Sequence, residues 1–266
     1  MTFMVDTGRP RPLFGANIDP LAGTPMRSVA AEELARILKA HELYVETDRR
    51  AGKRANLRST DLSGLDFSGM KLRRVQMSHA ELAGANFVGT DLRRANMIGA
   101  KLQGARLTSA NLTRARLSGI NLSDATCEHA CLAEAELEFA IVANAVMRKV
   151  DLQDADMSGA VLDGADLSGA NLRRANLRGA SFREARLCNT DLREARMGGA
   201  SFLRTSFKGA DLRGAYFRVA KFDRADLSGA DLRGARGLIQ EQIDNAICDT
   251  NTRLPDDLIA QAEDVA

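Results

Sequence analysis

The sequence predicts a solenoid, on three observations. From Leu57 to Leu232 every fifth residue is Leu, Phe or Met, with a single Cys and a single Val, and the register holds through 36 consecutive five-residue units. The position two before that centre is Ala in 27 of them. Two apolar positions per unit thus recur at a period matching neither a helix, at about 3.6, nor a strand, at about 2. A fixed short period of this kind is the mark of stacked repeats, each burying its apolar side only against its neighbours.

The flanking segments lack this period. Residues 1–24 carry Pro10, Pro12, Pro20 and scattered Gly, and are expected to form an irregular arm with no core of its own. Residues 25–54 are expected to hold a capping helix and a polar connection. Thr24 or Ser28 could serve as N-cap, and Val29, Leu34, Ile37, Leu38, His41, Tyr44 and Val45 fall near one face of a helix running to about Thr47. Such a helix covers the apolar cross-section that a first coil would otherwise show to water. Residues 55–235 are the repeat. Residues 236–266 are expected to close the far end with a short helix over Leu238 to Ile247, followed by a tail from Asp256 to Ala266 that is either loose or a docking or dimerising helix.

The units Ala165-Asp166-Leu167-Ser168-Gly169 and Ala170-Asn171-Leu172-Arg173-Arg174 resemble the pentapeptide-repeat family, whose pattern is A(D/N)LXX. The resemblance implies an all-β solenoid, a right-handed quadrilateral β-helix in which each unit forms one side and four units complete a coil. At that count the repeat makes about nine coils and a rod about 43 Å long at an inter-strand spacing of about 4.8 Å. The residue types agree with such a shape. A narrow interior takes one large side chain per side, the central Leu or Phe, and a small one beside it, the Ala. The other three positions face outward, where Asp, Asn, Arg, Ser and Gly collect.

Composition excludes several function classes. The 37 basic and 35 acidic side chains leave a net charge of +2, so no bulk field steers the chain onto nucleic acid or an anionic membrane. Aromatics are 5% and Trp is absent, which removes the platforms on which single-strand readers stack bases. Cys127, Cys131, Cys188 and Cys248 lack paired spacing, which favours a reducing compartment, the cytoplasm. No stretch approaches the length of a membrane span.

Residues 20 apart should stack, so the exterior can be read in columns. One side carries an Arg ladder after its centres, Arg73, Arg93, Arg173, Arg193, Arg213 and Arg233, thickened by Arg74, Arg94, Arg114 and Arg174. Stacked like charges repel, and Asp91, Asp151, Asp191, Asp211 and Asp231 on the same side neutralise part of them. The ladder is either an internally paired face or a surface for anions or an acidic partner. Mid-rod, Ile141, Val146 and Val161 stand where Asp or Asn is usual, and Phe139 takes another outward position. That apolar cluster is a contact site for a protein partner or a second copy, or packs under the N-terminal arm.

Catalytic and metal chemistry find no footing. In Cys127-Glu128-His129-Ala130-Cys131, the register turns Cys127 inward and His129 and Cys131 outward, so the convergent ligands that zinc needs are lacking. No His stands beside an outward Ser to form a nucleophile and base pair, and no phosphate-loop or dinucleotide fingerprint occurs. A filled rod offers no substrate cavity. The sequence therefore reads as a non-enzyme without cofactor or metal, a scaffold or protein-interaction module. The family resemblance adds an alternative, since some members mimic duplex DNA, bind type II topoisomerases and confer quinolone protection, usually as end-to-end dimers. That mechanism calls for a strongly acidic surface, whereas the sides here bear Arg. Direct nucleic-acid binding by the ladder is disfavoured because its Asp residues repel phosphates.

Overall fold

The computed structural model describes residues 26–259. The expected arm over residues 1–24 and most of the tail from Asp256 to Ala266 lie outside them. From Asn56 onward, parallel bridges pair each residue preceding a centre with the one 20 positions later, as in Asn56 with Gln76 and Asp211 with Asp231. Four units therefore complete one turn. The centre's N–H donates to the next coil, for instance Leu172 N to Asp191 O at 2.7 Å, and the corner N–H does the same, as in Arg174 N to Arg193 O at 2.9 Å.

The sides are single bridges instead of extended strands, for a reason visible in the backbone. The last residue of every unit, 36 corners in all, lies in the left-handed region at φ between 47° and 71°. A turn every five residues leaves too little extended chain between corners for a longer strand. Twenty of those corners carry a residue other than Gly, although a side chain there costs about 1–2 kcal/mol. The stacked core over-determines the turn.

Inside, Leu57, Phe67, Leu172 and the other centres are essentially inaccessible, as are the Ala positions beside them. Thr replaces Ala at four inward places; Thr60 donates its hydroxyl to the nearby Arg58 carbonyl, and in the other three the hydroxyl is satisfied by a carbonyl one coil back. Thr90 Oγ1 donates to Phe67 O at 2.8 Å, Thr190 to Leu167 O at 3.0 Å and Thr205 to Phe182 O at 2.6 Å. We expect Thr90→Val to lower stability by about 1 kcal/mol in urea denaturation, because the Phe67 carbonyl loses a buried donor at nearly constant volume.

Helix α1 spans Ala31–Glu46, with Glu32 and Glu33 favourably placed in its first turn. It begins later than either expected cap, Thr24 or Ser28. The cause is Arg27, which bridges Thr60, its N–H on Ser59 O at 2.8 Å and its carbonyl accepting from Asp61 N at 3.1 Å. A backbone paired in that way cannot enter a helix. Leu34, Ile37 and Leu38 pack on the core, and Lys71 to Glu46 at 2.9 Å ties the helix to the coils. After α1 the chain folds back with Lys53 N on Ala40 O at 2.9 Å, and at Gly52 a Cβ would stand 2.2 Å from that same carbonyl.

His41 is the buried polar group under α1. Its Nδ1 accepts from Ala55 N–H at 3.0 Å, while Nε2 has no hydrogen bond of good geometry. Burial pushes the imidazole below its ordinary value, against the opposing pull of the Leu72 carbonyl. The unfolded chain therefore protonates first, at about pH 6.5. Stability from this site is complete above that pH and is lost as pH falls toward the lower folded value. Thermal melts from pH 7.5 to 5 should show a falling Tm in the wild type and a flatter profile in His41→Asn, whose Oδ1 can still accept from Ala55.

The far end departs from the expected boundary at residue 235. Helix α2 is only Gln240–Asp244, and pairing then resumes, with Ile247 on Asp226 and Arg253 on Asp231. The triplets Ala246-Ile247-Cys248 and Thr252-Arg253-Leu254 repeat the small, outward, apolar order, and Thr252 Oγ1 donates to Leu227 O at 3.0 Å. Their offsets exceed the 20-residue step, so a strict period hides them. Between α2 and the core the buried Gln242 Nε2 donates to Ala220 O at 2.6 Å.

Candidate interaction surfaces

The Arg ladder is internally paired. An Arg directly after a centre stands two residues beyond the outward Asp, within reach of its carboxylate. Arg93, Arg193, Arg213 and Arg233 hold Asp91, Asp191, Asp211 and Asp231 in this way at 2.5 to 2.6 Å. Arg73 lies 3.7 Å from Asp91, and Arg173 reaches Glu194 at 3.1 Å. The guanidinium of Arg193 holds the Asp191 carboxyl below the usual carboxylate range, and Arg213 does so for Asp211. Directly after the centres this side thus presents ion pairs; of the arginines that thicken it, Arg114 and Arg174 are held by Glu134 and Asp154, whereas Arg74 and Arg94 form no ion pair among the described residues.

The mid-rod cluster divides. Ile141 and Val161 bridge each other on adjacent coils and are 41% and 36% exposed. Phe139, at the corner just before Ile141, is 72% exposed. Its ring covers the bare backbone of Gly159, where an added Cβ would approach Cε1 to 2.7 Å. Val146 does not join them. It bridges Thr126 and Asp166 in another column and is half-buried, beside a carboxylate held by Arg148 at 2.7 Å.

Phe139 is one of twenty non-Gly residues at the left-handed corners, with a φ of 58°, and it is set apart from the others by presenting a phenyl ring to solvent. We expect Phe139→Gly to stabilise the rod by about 1 kcal/mol in urea denaturation, since a ring so exposed contributes little burial.

The remaining chemistry-bearing side chains diverge. Cys127 is inward, and burial pushes its thiol up to about 12. His129 sits at a left-handed corner, and Cys131 Sγ lies 3.2 Å from Thr113 Oγ1. Among the described residues no group of three or more His, Cys, Asp or Glu converges to hold a metal ion. No described helix is long and apolar enough to cross a membrane.

Comparison with known proteins follows the same lines. Residues 53–236 match a family model of pentapeptide repeats, in eight copies. No curated protein matches the chain. Among solved structures, HetL, a pentapeptide repeat protein involved in heterocyst differentiation regulation from the cyanobacterium Nostoc sp. strain PCC 7120, is 28% identical, over 85% of this chain and 99% of its own, with a TM-score of 0.42. QnrB1, a plasmid-mediated fluoroquinolone resistance protein, is 21% identical in its trypsin-treated form, over 71% of this chain and 90% of its own, with a TM-score of 0.39. A pentapeptide repeat protein from the Arabidopsis thaliana thylakoid lumen is 31% identical over 45% of this chain and 66% of its own, with a TM-score of 0.24. With its five-residue register, 20-residue ladder and filled interior, the chain is a right-handed β-helix solenoid and belongs to the pentapeptide-repeat family.

Proposed function

We propose that the chain is a non-catalytic scaffold or protein-interaction module of about nine coils, closed by α1 at one end and by residues 236–259 at the other. It contacts a protein partner through Phe139, Ile141 and Val161. The observation that carries this reading is the exposed Phe139 ring beside the stacked Ile141 and Val161, three apolar side chains gathered on adjacent coils, whereas the repeat's other exposed large apolar side chains, Leu65 and Val219, lie on coils near its two ends. A few exposed apolar side chains ringed by charge are what a small interface core with a polar rim requires. The four cysteines are free thiols, which suits a reducing compartment such as the cytoplasm. The ion-paired ladder counts against the DNA-mimic alternative, which wants continuous negative charge.

Affinity capture from native cell extract tests the reading. The wild type should retain a specific protein that Ile141→Asp and Phe139→Gly both lose, with unchanged melting behaviour in the aspartate variant. Identical captures from all three would remove the patch as the contact site.

A further inference from the structure

We propose that the N-terminal third of the rod carries a site for a short oligophosphate, formed by arginines outside the paired ladder. A groove of about 440 Å³ is lined by Arg54, Arg58, Arg74, Arg94 and Arg116, together with the amides of Gln76 and Asn96, and no carboxylate lines it. Only Arg116 is neutralised, by Glu136 at 3.2 Å. Arg54, Arg58, Arg74 and Arg94 form no ion pair with any described residue, and Arg58 donates instead to the neutral Gln76 Oε1 at 2.6 Å.

The contrast with the ladder follows from unit position. Arg93 and Arg193 stand two residues after an Asp and are cancelled by it. Arg74 and Arg94 are corner residues with Leu72 and Leu92 two before them, and Arg58 follows Asn56. None of the three has a local carboxylate. Arg74 and Arg94 are also successive corners of one 20-residue column, about 4.8 Å apart along the rod, and Arg54, just ahead of the first unit, lines the same groove. Like charges so close, left unpaired, favour an anion carrying several charges in a small volume.

Two features set the class of anion. Guanidinium forks recognise phosphate oxygens in a bidentate manner, and no aromatic side chain lines the groove to stack a base. The positive run is also short. Beyond Arg94 the column continues with Arg114 tied to Glu134 at 2.8 Å and Asp154 tied to Arg174 at 2.5 Å. A long polyanion lying along the rod would therefore meet carboxylates after about 10 Å, whereas a di- or triphosphate fits within the free stretch.

The test is isothermal calorimetry on the full chain with inorganic triphosphate, at fixed low salt. Saturable binding is expected, weakened about tenfold in Arg74→Gln/Arg94→Gln, the loss of roughly one charge-assisted contact. The paired-ladder control Arg193→Gln/Arg213→Gln should change affinity less than twofold, or roughly within measurement scatter. All four positions face outward, so both variants should melt as the wild type does. The proposal is overturned by absence of saturation, by equal weakening in the two double variants, by citrate binding as tightly as triphosphate, or by a single-stranded oligonucleotide outcompeting triphosphate at equal phosphate concentration.

Discussion

Leu172→Arg is expected to collapse the centre of the rod, lowering stability by at least about 4 kcal/mol. Leu172 is wholly inaccessible, its backbone N–H is bonded to Asp191 O at 2.7 Å, and its neighbours one coil away in the same column are Leu152 and Leu192. A guanidinium placed there would have no carboxylate and no water, and an unpaired buried charge is among the costliest changes a core can receive. Because each coil is held only by the coils above and below, the damage should spread to adjacent units before it reaches the ends. Hydrogen exchange should show lost protection around residues 150–195, with α1 and the first coils still protected. Arg173→Ala, one residue along, removes only the partly exposed pair with Glu194 and should shift stability by no more than about 1 kcal/mol. Equal effects at the two positions would overturn the assignment of inward and outward faces.

Phe202→Ala is the second large effect, at about 3–5 kcal/mol. The Phe202 ring lies 5.4 Å from Phe182, 5.0 Å from Phe207, 5.2 Å from Phe222 and 6.3 Å from Phe217, measured between centroids. Phe182, Phe202 and Phe222 stack in one column, and Phe207 and Phe217 meet Phe202 edge-on across the interior from two other sides. Truncation would leave a void that the surrounding corners, fixed by the ladder, cannot close. Phe202→Leu should cost less than about 1.5 kcal/mol because most of the volume is kept. Denaturation should then begin at the C-terminal end in Phe202→Ala, readable as early loss of protection over residues 200–253. A cost under about 1 kcal/mol would show that the aromatic cluster is dispensable to that end.

The course of the chain could be read from the sequence because a five-residue register ties local pattern to tertiary place: once four units close a coil, each residue's column follows from its number. That arithmetic placed Ile141 against Val161 and separated Cys127 from His129. It failed where the step changed. Arg27, Ile247 and Arg253 join the ladder at irregular offsets, and nothing in their immediate neighbours announces the coil they meet. Residue type, not register, grouped Val146 with Ile141; the five-residue step between them turns them onto adjacent sides of the coil.

What the sequence determined by itself is the solenoid, its filled core and the identity of the residues facing outward, since each depends on a period that only one winding satisfies. What the tertiary structure alone decided is which of those outward residues are free to act. Arg193 and Arg74 are chemically alike and both stand in stacked columns, yet one is held by Asp191 at 2.5 Å and the other has no ion pair among the described residues. Phe139 and Gly159 share one backbone conformation at corners one coil apart, yet it is the structure that lays the exposed Phe139 ring over the bare backbone of that glycine. Partnership and contact depend on distances and dihedral angles between neighbouring coils, quantities that a one-dimensional pattern does not contain.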